Sequence, residues 1–356
     1  MKKALPALLL ALCLLLTACE FTIVFEPSPT GEPAAALEKE ETLMVHFLDV
    51  GQADCALIEF CNQFILIDGG NVEDSRRVIS FLEQQGVRSL EAIICTHTHE
   101  DHVGGLPAVL AVYPTEAVYA PTRVYASNVF DDFLRYTDQQ DLTVTIPAPG
   151  DRLTLTHGDA QVVLTVLGPV KSYFDTNNTS IVTHLSWGDT AFLFTGDMEI
   201  DAENDMLDYW GDRFPRADLL KVGHHGSETS SGYRLIYEVR PDYALISVGE
   251  GNTYGHPHEI PLSRLYNAGC TLFRTDEMGS VTAVSDGQEI VFTWENQSAN
   301  PLGGEPGDTR LIGNCNSMKL HTSLCNYLPG EKNRVYFDSY QDAIEAGYIP
   351  CGSCME

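Results

Sequence analysis

Three histidines and an aspartate, His97, His99, Asp101 and His102, fall within six residues of the run THTHEDHVGG at 96–105. A solvated polar loop has no reason to concentrate donors this way, whereas a loop leaving a buried strand can turn several side chains toward one point. The apolar stretch from Leu90 to Cys95 supplies such a strand. Imidazole and carboxylate together suit zinc, manganese or iron, and a catalytic centre needs such ligands plus an open position for water. Gly104 and Gly105 let the backbone pack closely as the next helix begins.

The surrounding pattern alternates sheet and helix. MVHFLDV, CALIEF and QFILIDGG are short apolar runs bounded by Gly, Asn and Asp, which predicts strands with tight turns. A helix is expected over 72–85, with Val78, Ile79 and Leu82 on one face and Gly86 as a stop. Further strands are expected at 161–167, 180–186, 191–195, 243–248, 271–274, 281–285 and 290–294, with a helix at 200–209. This order predicts two sheets packed face to face with helices outside.

Both ends have a different composition. Lys2 and Lys3 precede an apolar stretch from Ala4 to Leu16, which is too short for a permanent span and reads as a signal peptide over 1–18. Leu16, Thr17, Ala18 and Cys19 resemble the bacterial lipobox, which implies lipidation at Cys19 and a protein secreted and lipid-anchored to the outer face of the bacterial cell membrane. Residues 19–42, rich in Glu and Pro, read as a tether. NQSANPLGGEPGD at 296–308 ends the large domain, expected at 43–296, and supplies a linker at 297–308 before a module at 309–356.

HxHxDH followed by GG resembles the signature of the metallo-β-lactamase fold, an α/β four-layer αββα sandwich. FLDVGQAD at 47–54, ILIDGG at 65–70, FTGD at 194–197, LLKVGHHGS at 219–227 and ISVGEGNTYGHPH at 246–258 further resemble the metallohydrolase domain of the ComEC-type DNA-uptake competence proteins. The resemblance implies two divalent metals, zinc or manganese. His97 and His99 would hold the first, Asp101 and His102 the second, and Asp197 would bridge them. His224, His225, His256 and His258 are all candidates for the last ligand; His225 is preferred, His256 is assigned to the substrate phosphate or leaving group, and His224 and His258 to supporting roles. Asn177, Asn178, Thr179 and Ser180 stand where lactamases of this fold supply another histidine, and His184 follows too late. Ala53 replaces a glycine common in the competence family. At position 99 the oxygen reductases of this fold carry glutamate, so His99 points to a hydrolase.

In the tail, His321, Cys325, Cys351 and Cys354 form two close pairs of soft ligands, the pattern of a closed structural zinc site, with two disulfides as the alternative and Cys315 outside the quartet. Residues 313–354 resemble the zinc-binding domain of the Ada DNA-repair protein, with His321 where that family has its methyl-accepting cysteine. Methyl transfer is thereby disfavoured. The resemblances imply metal-assisted phosphodiester hydrolysis, with extracellular DNA or RNA as the leading substrate. A cell-wall phosphodiesterase acting on phosphorylcholine or teichoic acid, and a non-catalytic nucleic-acid-binding surface lipoprotein, are the alternatives. A net charge of -29 argues against tight, non-specific binding to polyanions.

Overall fold

The computed structural model describes residues 41–303, 310–322, 325, 327–337, 340–352 and 354–355. Cys19, the expected signal peptide and the tether up to residue 40 lie outside the described residues.

Period-two alternation in the apolar runs decides the architecture. Seven strands form one sheet in the order Ile290–Trp294, Val281–Ser285, Leu43–Phe47, Ala56–Phe60, Gln63–Ile67, Ala92–Ile94 and Val118–Tyr119. Eight form the other, in the order Leu302–Gly303, Thr271–Arg274, Tyr243–Ile246, Leu219–Lys221, Thr190–Phe194, Val182–Trp187, Ala160–Gly168 and Arg152–His157. Alternate residues of the central strands face opposite ways. Val45, Ile58, Ile65 and Ile94 from the first sheet meet Leu185, Phe192, Leu219 and Leu245 from the second in one core. Phe47 stacks on Phe194 across this layer with centroids 6.0 Å apart, and Phe60 meets Trp187 edge-on at 5.5 Å.

The intervening residues point outward and are also buried, which is why these strands are apolar on both faces. Leu57, Leu66 and Ile93 pack with Val78 and Leu82 of the Ser75–Gln84 helix and with Phe130 and Phe133 of the Asn128–Gln139 helix. Leu193, Leu220 and Ile246 pack with Met206, Leu235 and Leu265 from the Ile200–Trp210, Tyr233–Val239 and Glu259–Asn267 helices. The result is the four-layer αββα sandwich.

Gln63–Ile67, Ala92–Ile94 and Val118–Tyr119 run parallel, as do Thr190–Phe194, Leu219–Lys221, Tyr243–Ile246 and Thr271–Arg274. Their carboxyl ends therefore open at the same edge of each sheet, the place where α/β folds bind ligands. Part of the stretch expected to be linker is ordered into the second sheet, since Leu302 and Gly303 pair antiparallel with Leu272 and Thr271.

The tail carries its own four-stranded sheet, in the order Arg334–Phe337, Leu311–Asn314, Lys319–His321 and Ile349–Pro350. Its buried apolar cluster is small: Leu311, Leu320, Ala343, Tyr348 and Met355, joined by the partly buried Tyr233 of the large domain. Among the described residues no helix is long and apolar enough to cross a membrane.

A candidate metal centre at the strand ends

Each parallel strand near the middle of the two sheets ends in a polar side chain aimed at the seam between them. Ile67 leads to Asp68, Ile94 to His97, Phe194 to Asp197, and Lys221 to His224 and His225. Close backbone approach fixes the first of these loops. A Cβ on Gly105 would sit 2.1 Å from the Gly69 carbonyl oxygen, and one on Gly104 would sit 2.4 Å from the Val72 nitrogen, so only glycine fits either place. Gly69 N–H donates to the His102 carbonyl at 2.7 Å, which locks the ILIDGG turn to the histidine run. In the last loop His224 and His225 both take left-handed conformations, with φ of 48° and 52°, and this turns two successive imidazoles toward one centre.

The hydrogen-bond network assigns the ring nitrogens. Thr96 donates its backbone N–H and its hydroxyl to the two oxygens of Asp68, each at 2.7 Å. The hydroxyl proton being spent, Thr96 Oγ1 accepts from His97 Nδ1 at 3.2 Å, which leaves His97 Nε2 facing Asp197 Oδ2 at 3.8 Å. His102 Nδ1 donates to Asp68 at 2.8 Å, and His225 Nδ1 donates to the Ser247 carbonyl at 2.9 Å. Both rings thereby present Nε2 lone pairs inward, as carboxylate- or carbonyl-backed metal ligands do. His224 is backed in the same way by Glu199, 3.4 Å from its Nδ1, and its Nε2 lies 3.8 Å from Asp197 Oδ2.

Asp197 belongs to one compact donor group and faces two further imidazoles. Asp101, His102, Asp197 and His225 offer one atom each within 4.8 Å of one another. His102 Nε2 and Asp197 Oδ1 are buried 3.3 Å apart without a hydrogen bond. Orphaned polar atoms of this kind are costly unless something else satisfies them, and a cation does. Asp197 Oδ2, 3.7 Å from His225 Nε2, also faces His97 Nε2 and His224 Nε2, and His99 Nδ1 lies 3.1 Å from His97 Nε2. The sequence sets His224 in a supporting role; the structure places its Nε2 as close to Asp197 Oδ2 as that of His97, and Asn177 Nδ2 lies 3.4 Å from His224 Nε2. His184 goes elsewhere: its Nε2 donates to the Arg216 carbonyl at 2.8 Å. His258 Nδ1 accepts from Glu228 N–H at 2.9 Å.

The charges are consistent with a cation site. Burial alone would raise Asp197 and lower His102 and His225. Mutual attraction outweighs it, so the imidazoles of His102 and His225 hold Asp197 well below the carboxylate range. Asp197, Asp68 and Asp101 hold His102 well above its ordinary value, and Asp197, Asp101 and Asp54 push His225 up to about 10. His97 falls well below its ordinary value through burial and the nearby His102. The cluster of buried carboxylates demands positive charge at this point, which a divalent ion supplies. Behind it Lys221 Nζ pairs with Asp54 Oδ2 at 2.9 Å, and Asp54 Oδ1 lies 3.4 Å from His225 Nδ1. Asp54, Asp68 and Lys221 lay in segments the sequence marked, yet their supporting role depends on contacts across the two sheets.

His256 stands at the mouth, outside these donors. Gly249 N–H donates to Gln52 Oε1 at 3.1 Å, which orients the Gln52 amide so that its Nε2 donates to His256 Nδ1 at 3.2 Å. His256 therefore carries its proton on Nε2. Burial and the neighbouring His224, His225 and His258 push it down to about 4, so it is neutral near pH 7.

In the tail, His321, Cys325, Cys351 and Cys354 converge within 4.8 Å. His321 Nδ1 is 3.2 Å from Cys325 Sγ, Cys325 and Cys351 sulfurs are 4.0 Å apart, and no cysteine among the described residues is in a disulfide. Three soft sulfurs and an imidazole in one small cluster fit a structural zinc.

Two facing sheets with histidine- and aspartate-bearing loops at their shared edge define a metal-dependent hydrolase. The chain belongs to the metallo-beta-lactamase superfamily, which matches it over residues 48–250. It is 30% identical over 258 residues to ComE operon protein 3 of Bacillus subtilis (strain 168), covering 67% of this chain and 32% of that protein. It is 28% identical over 250 residues to Competence protein ComA of Neisseria gonorrhoeae, covering 70% and 33%. To Recombination protein 2 of Haemophilus influenzae it is 30% identical over 249 residues, covering 67% and 28%. The chain thus spans about a third of the length of these relatives.

Proposed function

We propose that the large domain is a phosphodiesterase acting on extracellular DNA or RNA, on a chain held at the outer cell surface by lipid on Cys19. The observation that carries the reading is the convergence of Asp101, His102, Asp197 and His225, with His97 and His224 facing the same Asp197. His97, His99, His224 and Asp197 would hold one divalent ion, and Asp101, His102, Asp197 and His225 the other. Paired ions of this kind lower the pKa of water and neutralise charge on a phosphoryl oxygen.

The protein's own residues do the rest. Asp68, Glu199 and the Ser247 carbonyl hold His102, His224 and His225 in fixed tautomers, so no ligand reorients during turnover. His256, neutral and protonated on Nε2, donates a hydrogen bond to a substrate phosphoryl oxygen and orients it. Relatives named for competence and recombination favour DNA as the substrate. The acidity of the chain favours a second reading, a cell-wall phosphodiesterase acting on phosphorylcholine or teichoic acid, because a net charge of -29 opposes a long polyanion.

The test is a hydrolysis panel on the metal-loaded protein: single- and double-stranded DNA, RNA, bis(p-nitrophenyl) phosphate, p-nitrophenyl phosphorylcholine and nitrocefin. Nucleic acid and the simple diester should be cleaved, and Asp197→Ala should lose about a hundredfold or more, since even partners of metal ligands account for about 10–100-fold. Turnover of nitrocefin ahead of every diester would overturn the reading.

A further inference from the structure

The ring of Tyr254 is 68% exposed beside the candidate centre. Among the described residues its hydroxyl makes no hydrogen bond, so neither burial nor a polar tether accounts for its position. It lies near-parallel to His256, with centroids 5.7 Å apart and planes inclined by 23°. His256 in turn lies near-parallel to His225, at 6.4 Å and 25°. The three rings form a ladder that starts at a residue of the centre, passes the hydrogen-bond donor at the mouth and ends in an open aromatic face.

The loop bearing this ladder is firmly held. Asn252 Oδ1 accepts from the N–H groups of Tyr254 and His256 at 3.1 and 3.0 Å. Its Nδ2 donates to the carbonyls of Gly249 and His256 at 3.0 and 2.6 Å. Gly249 lies so close to Gln52 that an added Cβ would approach the Gln52 nitrogen to 2.6 Å. Fixing an exposed ring in water by a hydrogen-bonded turn has no benefit to the core, but it does prepare a flat surface for a flat ligand.

Resting on the phosphodiesterase reading, we infer that Tyr254 is the platform on which a nucleobase of the substrate stacks while its phosphate sits at the centre, which makes it a specificity-determining residue for nucleotide esters. Base stacking is uncharged and sequence-tolerant. It therefore lets a protein of net charge -29 hold a nucleotide without the lysines and arginines that other nucleic-acid proteins place along the backbone.

The experiment compares three esters with one leaving group, thymidine 5′-(p-nitrophenyl phosphate), methyl p-nitrophenyl phosphate and p-nitrophenyl phosphorylcholine, in the metal-loaded wild type, Tyr254→Phe and Tyr254→Ala. Wild type should prefer the thymidine ester over the methyl ester in kcat/KM. Tyr254→Ala should reduce that preference about tenfold or more, and Tyr254→Phe should keep it. A calorimetric titration with thymidine 5′-monophosphate and with methyl phosphate should show the same pattern in binding, independent of turnover. An equal loss on all three esters, or an unchanged preference in Tyr254→Ala, overturns the platform while leaving the hydrolase reading in place. A loss confined to the choline ester gives the ring to a quaternary ammonium and likewise overturns it. Hydrolysis of no ester by the wild type overturns the phosphodiesterase reading, and the platform falls with it.

Discussion

Two successive residues in the left-handed region, neither of them glycine, cost on the order of 1–3 kcal/mol each, and such strain persists only where neighbours enforce it. At His224 and His225 the enforcement is visible: His224 N–H donates to the Gly196 carbonyl at 3.1 Å, and Gly223 N–H to Ser231 Oγ at 3.2 Å. The strain is stored to aim two rings at Asp197. His224→Ala should therefore leave the fold intact while reducing bound metal from two ions toward one and kcat/KM on a simple diester by about a hundredfold or more. Elemental analysis beside steady-state kinetics checks it. His184→Ala is the contrast: metal content stays, and stability falls by about 0.5–1.5 kcal/mol because the part-buried hydrogen bond to the Arg216 carbonyl is lost. Metal content unchanged in His224→Ala would remove His224 from the centre.

At the scale of elements, the tail shows how far a short sheet depends on something other than apolar packing. Among the described residues five buried side chains make its apolar cluster, few for four strands, whereas structural zinc in small domains contributes on the order of 10 kcal/mol. Replacing Cys325 and Cys351 together with serine should remove one zinc per chain by native mass spectrometry and abolish amide protection in Leu311–Asn314 and Lys319–His321, with the ions of the large domain kept. Full protection without that zinc would overturn the assignment. The contrast between elements also explains what a reader of the sequence can see. Strands such as Leu43–Phe47 and Thr190–Phe194 declare themselves through bounded apolar runs, and the 97–102 run does so because one strand end supplies several donors. The Asn128–Gln139 helix is not among the expected elements although its pattern is amphipathic, with Phe130, Phe133 and Thr137 buried and Val129, Leu134 and Tyr136 packed beside them. His224 is named by the sequence only as one of several candidates because nothing in GHHG announces two left-handed residues, and Leu302–Gly303 escapes because an edge strand of two residues is chosen by its partner rather than by its own propensity.

For the molecule as a whole, the proposed anchor sets where the charge and the centre act. Changing Cys19 to serine should move the protein from the membrane pellet to the soluble fraction, because only lipid at that residue is proposed to tie it to the bilayer; wild-type mature protein soluble without detergent would count against the anchor. Were the chain so anchored, its acidity would have a spatial meaning, since a negatively charged domain is repelled by a negatively charged surface. The position of the centre has a further consequence. The first sheet contributes His97, His99, Asp101 and His102, and the second contributes Asp197, His224 and His225, so every ion held there joins the two halves of the domain. Bound metal would then add to the apolar core that already joins the sheets, and by mass action the domain's stability would rise with free metal and fall as metal is sequestered. For such a protein the metal supply of its surroundings would be a variable of stability as well as of rate.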